Sequence, residues 1–226
     1  MPTPPNLLND DGSASMATAF MTSHHGFRRD LAQFKLALQR VAAGDHARVS
    51  ALREEWQRYR GTLHGHHDVE DKAIFPGTKQ QHPELAAVID GLTADHRKID
   101  PMLQAGDGAF AGLPASAGAA AEIVAALAAL LGPHLATEET HIVPLLRDAK
   151  AFPPPANEAE LEMYAQGFAW SSHGIAPDIL DKVYTMLSKP LLAKLPAARA
   201  AFAQRCEQVW GTSSAGASRT PIPDWL

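Results

Sequence analysis

The sequence predicts an all-α protein: an antiparallel, up-and-down four-helix bundle with additional short C-terminal helices packed on it. Residues of high β propensity form no alternating runs, and no Asn-Gly pair marks a hairpin. Apolar residues instead recur at spacings of three and four, which is the period of a helix buried on one face. Four long stretches of this kind, joined by short links, favour a bundle of antiparallel neighbours.

The four predicted bundle helices cover residues 16–43, 46–74, 83–103 and 115–147. Gly44 should end the first helix and Pro76-Gly77 the second, because glycine and proline favour helix ends. Residues 105–114 are predicted to form a glycine-rich loop before the fourth helix. Gly132-Pro133 should kink the fourth helix, since proline removes a backbone donor.

Both ends of the chain differ in composition from its centre. Residues 1–14 are predicted to be a disordered tail and residues 212–226 a flexible one, from their Pro, Ser and Gly content. Between them, residues 15–150 should form the bundle and residues 151–211 a C-terminal helical extension, with the break at the Phe-Pro-Pro-Pro run of 152–155. The extension is predicted to contain helices over 158–170, 177–188 and 196–210.

Composition and charge narrow the classes of function. A net charge of -5 predicts neither a nucleic-acid partner nor an anionic membrane surface. The single cysteine, Cys206, allows no intrachain disulfide and no cysteine-based zinc motif, and we expect it to be a small buried side chain. The N-terminus has no secretory pattern, and the apolar run over 117–131 contains Glu122, which predicts a buried helix rather than a membrane span. These features predict a cytoplasmic protein.

One pattern occurs twice, 68 residues apart. Residues 66–76 read HHDVEDKAIFP and residues 134–144 read HLATEETHIVP. Both have the form His-x-x-x-Glu-(Asp/Glu)-x-x-Ile-(Phe/Val)-Pro. A helical histidine precedes each copy, His24 before His66 and His96 before His134. The bundle therefore consists of two helical hairpins, each with one histidine and one His-x-x-x-Glu pair.

The spacing of each pair predicts a metal site. Residues i and i+4 lie on one helix face, so each pair directs an imidazole and a carboxylate the same way. Facing helices would bring four imidazoles and two carboxylates together on the bundle axis, a common way to build a dinuclear site. These ligand types suit Fe, Mn, Zn or Co. The candidate metal ligands are His24, His66, Glu70, His96, His134 and Glu138.

The alternative is that these pairs are polar residues on solvated helix faces. Leu63 and Ile74 continue the face of the first pair, so the polar residues lie in line with the apolar stripe, which favours the buried site. Of the adjacent histidines, His66 is the predicted ligand, because the second copy has Leu135 where the first has His67. We expect His67 to face away from the metals and its replacement to leave metal content unchanged.

The acidic residue after each glutamate recurs in both copies. Asp71 and Glu139 either hydrogen-bond the distal nitrogens of ligating histidines, which would fix their orientation, or lie at a solvated helix edge.

Over roughly residues 16–150 the chain resembles the hemerythrin-like proteins with an HHE cation-binding domain. The resemblance rests on HHGFRRDL from His24, on the two His-x-x-x-Glu copies, and on ADHRKID around His96. It implies a four-helix bundle around two iron ions, an oxo- or hydroxo-bridged non-haem diiron centre, with Mn or Zn as substitutes. Members of the family include oxygen carriers, an iron- and oxygen-sensing ubiquitin-ligase subunit, and bacterial proteins of oxygen, nitric oxide or peroxide responses.

The sequence departs from the oxygen carriers at the third and fourth helices. Where they have His-x-x-x-His, this chain has His96 and then Asp100, and Glu138 replaces their aspartate. The missing histidine could be replaced by Asp100, His141, Tyr59 or water. An open coordination position favours sensing or redox chemistry over reversible oxygen carriage.

Three functions are compatible with these residues. The first is a diiron protein that binds or senses O2, NO or peroxide, with related redox activity. The second is a metal-dependent regulatory or interaction module for iron sensing or storage, without turnover, whose C-terminal helices contact a protein partner or a second copy. The third and weakest is a dinuclear hydrolase with a metal-bound hydroxide.

Overall fold

The computed structural model describes residues 7–41, 45–148 and 154–211, and within these ranges the protein is all-α, as predicted. The α-helices are α1 (Met16–Leu38), α2 (His46–Val69), α3 (Phe75–Gln81), α4 (Ala86–Ala111), α5 (Ala117–His141), α6 (Glu158–Ser172), α7 (Pro177–Val183) and α8 (Lys189–Trp210). A π-helical turn covers Glu70–Ile74, and short 3-10 helices cover Pro83–Leu85, Val143–Leu146 and Tyr184–Met186. Helix α1 ends at Leu38, so the predicted extension of the first helix to residue 43 is wrong. Gly44 and residues 152–153 lie outside the described residues.

The chain divides into two compact units. Among the described residues, the bundle unit comprises 30–41, 45–141 and 208–210. The terminal unit comprises 7–29, 142–148, 154–207 and 211. The first part of α1 is thus grouped with the C-terminal helices, whereas the sequence groups it with the bundle.

The core of the bundle unit contains a cluster of aromatic side chains. Trp56 of α2 stacks on Phe110 of α4, with ring centroids 4.5 Å apart and an interplanar angle of 8°. Phe34 meets both rings edge-on, as well as that of Trp210. The indole Nε1 of Trp56 donates a hydrogen bond to Asp107 at 2.9 Å, so the one polar atom of this buried side chain is satisfied.

Helix α4 continues through residues 105–111, so the prediction of a glycine-rich loop there is wrong. The reason is a contact between helices: a Cβ atom on Gly106 would lie only 2.1 Å from Cζ2 of Trp56. Gly106 therefore lets α2 approach α4, and the helix extends far enough to bury Phe110.

The second predicted helix does not end at Pro76-Gly77. After α2 the backbone makes the π-helical turn, in which the amide of Phe75 bonds to the carbonyl of Glu70, and helix α3 then continues to Gln81. Pro76 lies in the first turn of α3, directly after the π-helical turn, where the backbone changes its hydrogen-bond register and a residue without an N–H is tolerated.

Helix α5 is long and apolar enough to cross a membrane by length and composition, a test that core helices of soluble proteins also pass. It packs on α4 and buries Val124, Leu127 and Leu131 along one face. Pro133 lies within this helix, which ends at His141 rather than near residue 147.

In the terminal unit, α1 packs closely against α6. A Cβ atom on Gly26 would lie 2.7 Å from the Trp170 ring, which also meets Phe27 edge-on. The buried guanidinium of Arg29 donates hydrogen bonds to the carbonyl oxygens of Trp170 at 2.7 Å and His173 at 3.0 Å, which caps the C-terminal end of α6.

Part of the predicted N-terminal tail is packed. Leu7 is fully buried, its carbonyl accepts a hydrogen bond from the Ser15 hydroxyl, and Leu8 forms an antiparallel bridge with Ala14. Residues 7–14 are therefore folded, with the burial of Leu7 and these backbone contacts as the visible interactions.

We predict that Gly106→Ala lowers the free energy of unfolding by about 1–3 kcal/mol, because the new methyl group overlaps Trp56. Gly108→Ala is the matched control: it lies in the same helix with nothing near its Cβ position, and should stabilise by roughly 0.5–1 kcal/mol through helix propensity. Urea unfolding of both variants measures the difference. Equal effects would contradict the role given to Gly106.

Candidate metal centre

Each His-x-x-x-Glu copy brings its two side chains together, as the helical spacing predicts. The Nε2 atom of His66 lies 3.0 Å from Oε1 of Glu70, on the continuous segment that runs from α2 into the π-helical turn. On α5, Nε2 of His134 lies 3.2 Å from Oε1 of Glu138. Both glutamates are fully buried, so these pairs are not part of a solvated helix face.

His96 on α4 joins the two copies. Its Nε2 atom lies 3.4 Å from Oε2 of Glu70 and 3.2 Å from Nε2 of His134. The two carboxylate oxygens of Glu70 therefore face two different histidines, His66 and His96. This is the arrangement of a carboxylate that can bridge two cations.

The prediction that His67 faces away is wrong. The His67 ring is 3% exposed and stacks on His96, with centroids 4.0 Å apart and an interplanar angle of 14°. The sequence held a signal for this burial. Leu135 takes the place of His67 in the second copy, and an apolar residue beside a buried pair indicates a position that faces the core; Leu135 is indeed fully buried.

The donor atoms of the bundle unit form two overlapping groups. The nitrogen-rich group consists of His67, Glu70, His96 and His134, whose donor atoms all lie within 4.8 Å of one another. The carboxylate-rich group includes His66, Glu70 and Glu138, again with donor atoms within 4.8 Å of one another. Glu70 belongs to both groups, so five of the six predicted ligands, together with His67, converge on one place.

The sixth predicted ligand, His24, lies on α1 in the terminal unit. Its side chain is fully buried and meets Phe20 edge-on, with centroids 5.7 Å apart. His24 is therefore not a surface histidine, and its assignment as a metal ligand stays a prediction.

An acidic residue orients the ring of His96. Oδ2 of Asp71 lies 3.1 Å from Nδ1 of His96, the nitrogen remote from the clustered donors, as predicted for an orienting hydrogen bond. A proton held on Nδ1, toward this carboxylate, would leave the Nε2 lone pair directed at Glu70 and His134. Glu139, the equivalent residue on α5, is buried.

Three further side chains are candidates to replace the histidine that the oxygen carriers have on their third helix and this chain lacks. Asp100 is exposed and lies 3.8 Å from the exposed ring of His64, and His141 is also exposed. Tyr59 is buried against Phe34 and Trp56, where burial and the charge of Asp30 raise the pKa of its hydroxyl well above the usual value. None of the three belongs to either donor group within the described residues.

Burial keeps most of the imidazoles neutral. It lowers the pKa of His66 to about 4 and shifts the pKa of His67 downward more strongly, helped by the neighbouring histidines. Burial also lowers the pKa of His96, although Asp71 opposes the shift. At His134 the effect of burial is outweighed by the Glu138 carboxylate, so its pKa is raised. Neutral rings offer the lone pairs that metal ions require.

A helical bundle with buried, convergent imidazoles and carboxylates defines a class of metal-binding protein. The family model of the hemerythrin HHE cation-binding domain matches residues 15–155, more than half of the chain. The chain therefore belongs to this family, as its motifs indicate. Comparisons with curated proteins and with solved structures find no match.

We predict that Asp71→Asn weakens metal binding by about 10–100-fold, since the asparagine cannot hold the His96 ring in its tautomer as a carboxylate does. Asp68→Asn is the control, because Asp68 pairs with Lys72 at the surface three residues earlier. Competitive titration against a chelator measures both affinities. Unchanged affinity in Asp71→Asn would remove this residue from the site.

The metal-free protein should lose stability as the pH falls from about 6.5 to 4. In this interval the unfolded chain protonates His66 and the folded chain does not, so acid favours unfolding, by roughly 3 kcal/mol for this residue. Urea unfolding of the metal-free protein across this range tests it. His66→Gln should reduce the slope by up to one proton, and an unchanged slope would contradict the assignment.

Proposed function

We propose that the protein holds two iron ions between α2, α4 and α5 and binds or senses O2, NO or peroxide there. The observation that supports this most is the overlap of the two buried donor groups at Glu70. A single carboxylate with one oxygen toward His66 and the other toward His96 is suited to two adjacent cations. The predicted ligand set is His24, His66, Glu70, His96, His134 and Glu138.

The residues fit iron by the chemistry of their donors. Imidazoles and carboxylates suit Fe, with Mn, Zn or Co as substitutes, and the single cysteine, on α8, belongs to neither donor group. Two fully buried glutamates are costly in an apolar interior, and bound cations would offset that cost. Bound iron would supply the redox chemistry and the attraction for a small ligand.

The protein's own side chains control access and orientation. Phe75 stacks on the outer face of the His96 ring, with centroids 5.6 Å apart, and Leu63 and Leu131 are buried on the helices that carry the donors. This apolar surrounding excludes water and strengthens every charge interaction inside it. A ligand that reaches the centre should therefore be small and uncharged or of low charge, which agrees with a diatomic gas or hydrogen peroxide.

The test is anaerobic loading of the metal-free protein with Fe(II), followed by exposure to O2, NO or hydrogen peroxide in separate samples. We expect two iron ions per chain and a new absorption band in the near-ultraviolet or visible region with at least one of these ligands. Glu70→Gln should lose iron, whereas Glu54→Gln, on the exposed side of α2, should retain it.

Two results would redirect the proposal. Binding of fewer than two ions in every metal tested would contradict a dinuclear site. Two bound ions that raise the melting temperature, without a new absorption band or consumption of any ligand, would instead favour the metal-dependent regulatory or interaction module.

A further inference from the structure

We propose that His67 is itself a metal ligand, which makes the two metal positions unlike: one rich in nitrogen and one rich in carboxylate. The cations should therefore bind in two steps of unequal affinity, the nitrogen-rich position first. This inference rests on the proposed function, because it assumes that the site holds two ions.

The first argument is that packing does not explain a histidine at position 67. The side chain is 3% exposed, and neither ring nitrogen makes a hydrogen bond within the part of the chain that the structure describes. A buried polar group left in this state costs about 1–3 kcal/mol. Leu135 occupies the equivalent position in the second copy and is fully buried, so an apolar residue is sufficient for packing. A cation would satisfy one of the ring nitrogens and remove the cost.

The second argument is geometric. His66 and His67 precede Glu70 by four and three residues, so both histidines lie one helical turn from the same carboxylate. His66 belongs to the carboxylate-rich group and His67 to the nitrogen-rich group. Adjacent histidines therefore reach opposite sides of the glutamate that the two groups share, and each can serve a different cation.

The third argument concerns the nitrogen-rich group. The Nε2 atoms of His96 and His134 lie 3.2 Å apart, and the His67 ring lies 4.0 Å from that of His96 and 5.7 Å from that of His134. Two imidazoles bound to one cation through bonds of about 2.1 Å have their nitrogens about 3.0–3.4 Å apart. The observed 3.2 Å, which is a hydrogen bond between the two rings in this structure, falls within this range, and His67 is the third imidazole beside them.

The source of this third imidazole also explains the sequence of α4. The residue one turn after His96 is Asp100, which is exposed and faces His64 at the surface. It therefore adds no donor to the nitrogen-rich group, and α2 supplies the histidine that α4 lacks. The third imidazole of the nitrogen-rich group thus comes from α2 and not from α4.

Unlike ligand sets predict unlike cation preferences. Three imidazoles and one shared carboxylate suit Zn, Co or Fe(II), whereas a position with two carboxylates and fewer imidazoles suits a harder ion such as Mn. The second cation also meets the charge of the first. The first ion should therefore bind more tightly, and a mixed-metal centre becomes accessible.

The experiment is an anaerobic Co(II) titration of the metal-free full-length chain, followed by calorimetry and visible absorption. Wild type should show two resolved steps of one ion each. His67→Phe preserves a ring for stacking on His96 and removes both nitrogens, so it should weaken the tight step by at least about 100-fold and leave the weaker step in place. The metal-free His67→Phe protein should also melt at a temperature equal to or above that of wild type, because an unsatisfied buried group is gone.

Two control variants complete the test. His64→Ala, one turn before His67 and exposed, should leave both steps unchanged. Glu138→Gln, in the carboxylate-rich group, should lose the weaker step and keep the tight one. Circular dichroism checks that each variant is folded. If His67→Phe does not fold, His67→Ala takes its place and the same changes in the two binding steps are expected.

The outcomes separate this inference from the proposed function. If wild type binds two ions and the His67 variant retains both steps, or if both steps weaken equally, the inference is overturned and the dinuclear site stands. If wild type binds fewer than two ions, the dinuclear proposal itself fails. Loss of the tight step alone, with the weaker step and the fold retained, supports His67 as a ligand.

Discussion

The structure of the bundle unit depends on the burial of one carboxylate. Glu70 is fully buried, with one oxygen toward His66 on α2 and the other toward His96 on α4. A carboxylate in an apolar interior is stable only when its oxygens meet imidazoles, donors or cations. Glu70 therefore fixes which faces of α2 and α4 meet, and Glu138 imposes the same condition on α5 through His134. The buried glutamates, whose burial is energetically unfavourable, therefore also determine how α2, α4 and α5 pack.

Stability for this polar cluster comes from elsewhere in the same helices. Trp56 precedes His66 by ten residues, about 15 Å along α2, and Phe110 follows His96 by fourteen on the antiparallel α4. Their stacking, with Gly106 allowing the close approach, anchors the two helices at one end. A well-packed apolar end can offset a polar end that is unfavourable without metal, which is the usual relation between a rigid scaffold and a functional site.

The sequence predicted the fold class and most of the side chains that converge in the bundle, because both depend on local periodicity. A His-x-x-x-Glu pair places its side chains together whatever the helix packs against, so His66 with Glu70 and His134 with Glu138 follow from spacing alone. The features that were missed depend on contacts between helices. Gly106 resembles a loop residue in the sequence, and its role depends on the contact with Trp56 of another helix. The helix continues past Pro76 through a π-helical turn, which no local sequence pattern predicts. The inward position of His67 does not follow from residue identity between the two copies, because histidine and leucine differ in type although both are buried.

The two His-x-x-x-Glu copies differ chemically at one buried position. They share the histidine and glutamate that face the site, and they differ at the neighbouring buried position, His67 in one and Leu135 in the other. A leucine adds only apolar contact, whereas a neutral imidazole adds a lone pair beside His96 and His134. Two similar hairpins therefore enclose two dissimilar sets of donors. If the site holds two cations, as we propose, the one among three imidazoles meets softer donors than the one beside two carboxylates, so a single side chain would give the two positions different metal preferences.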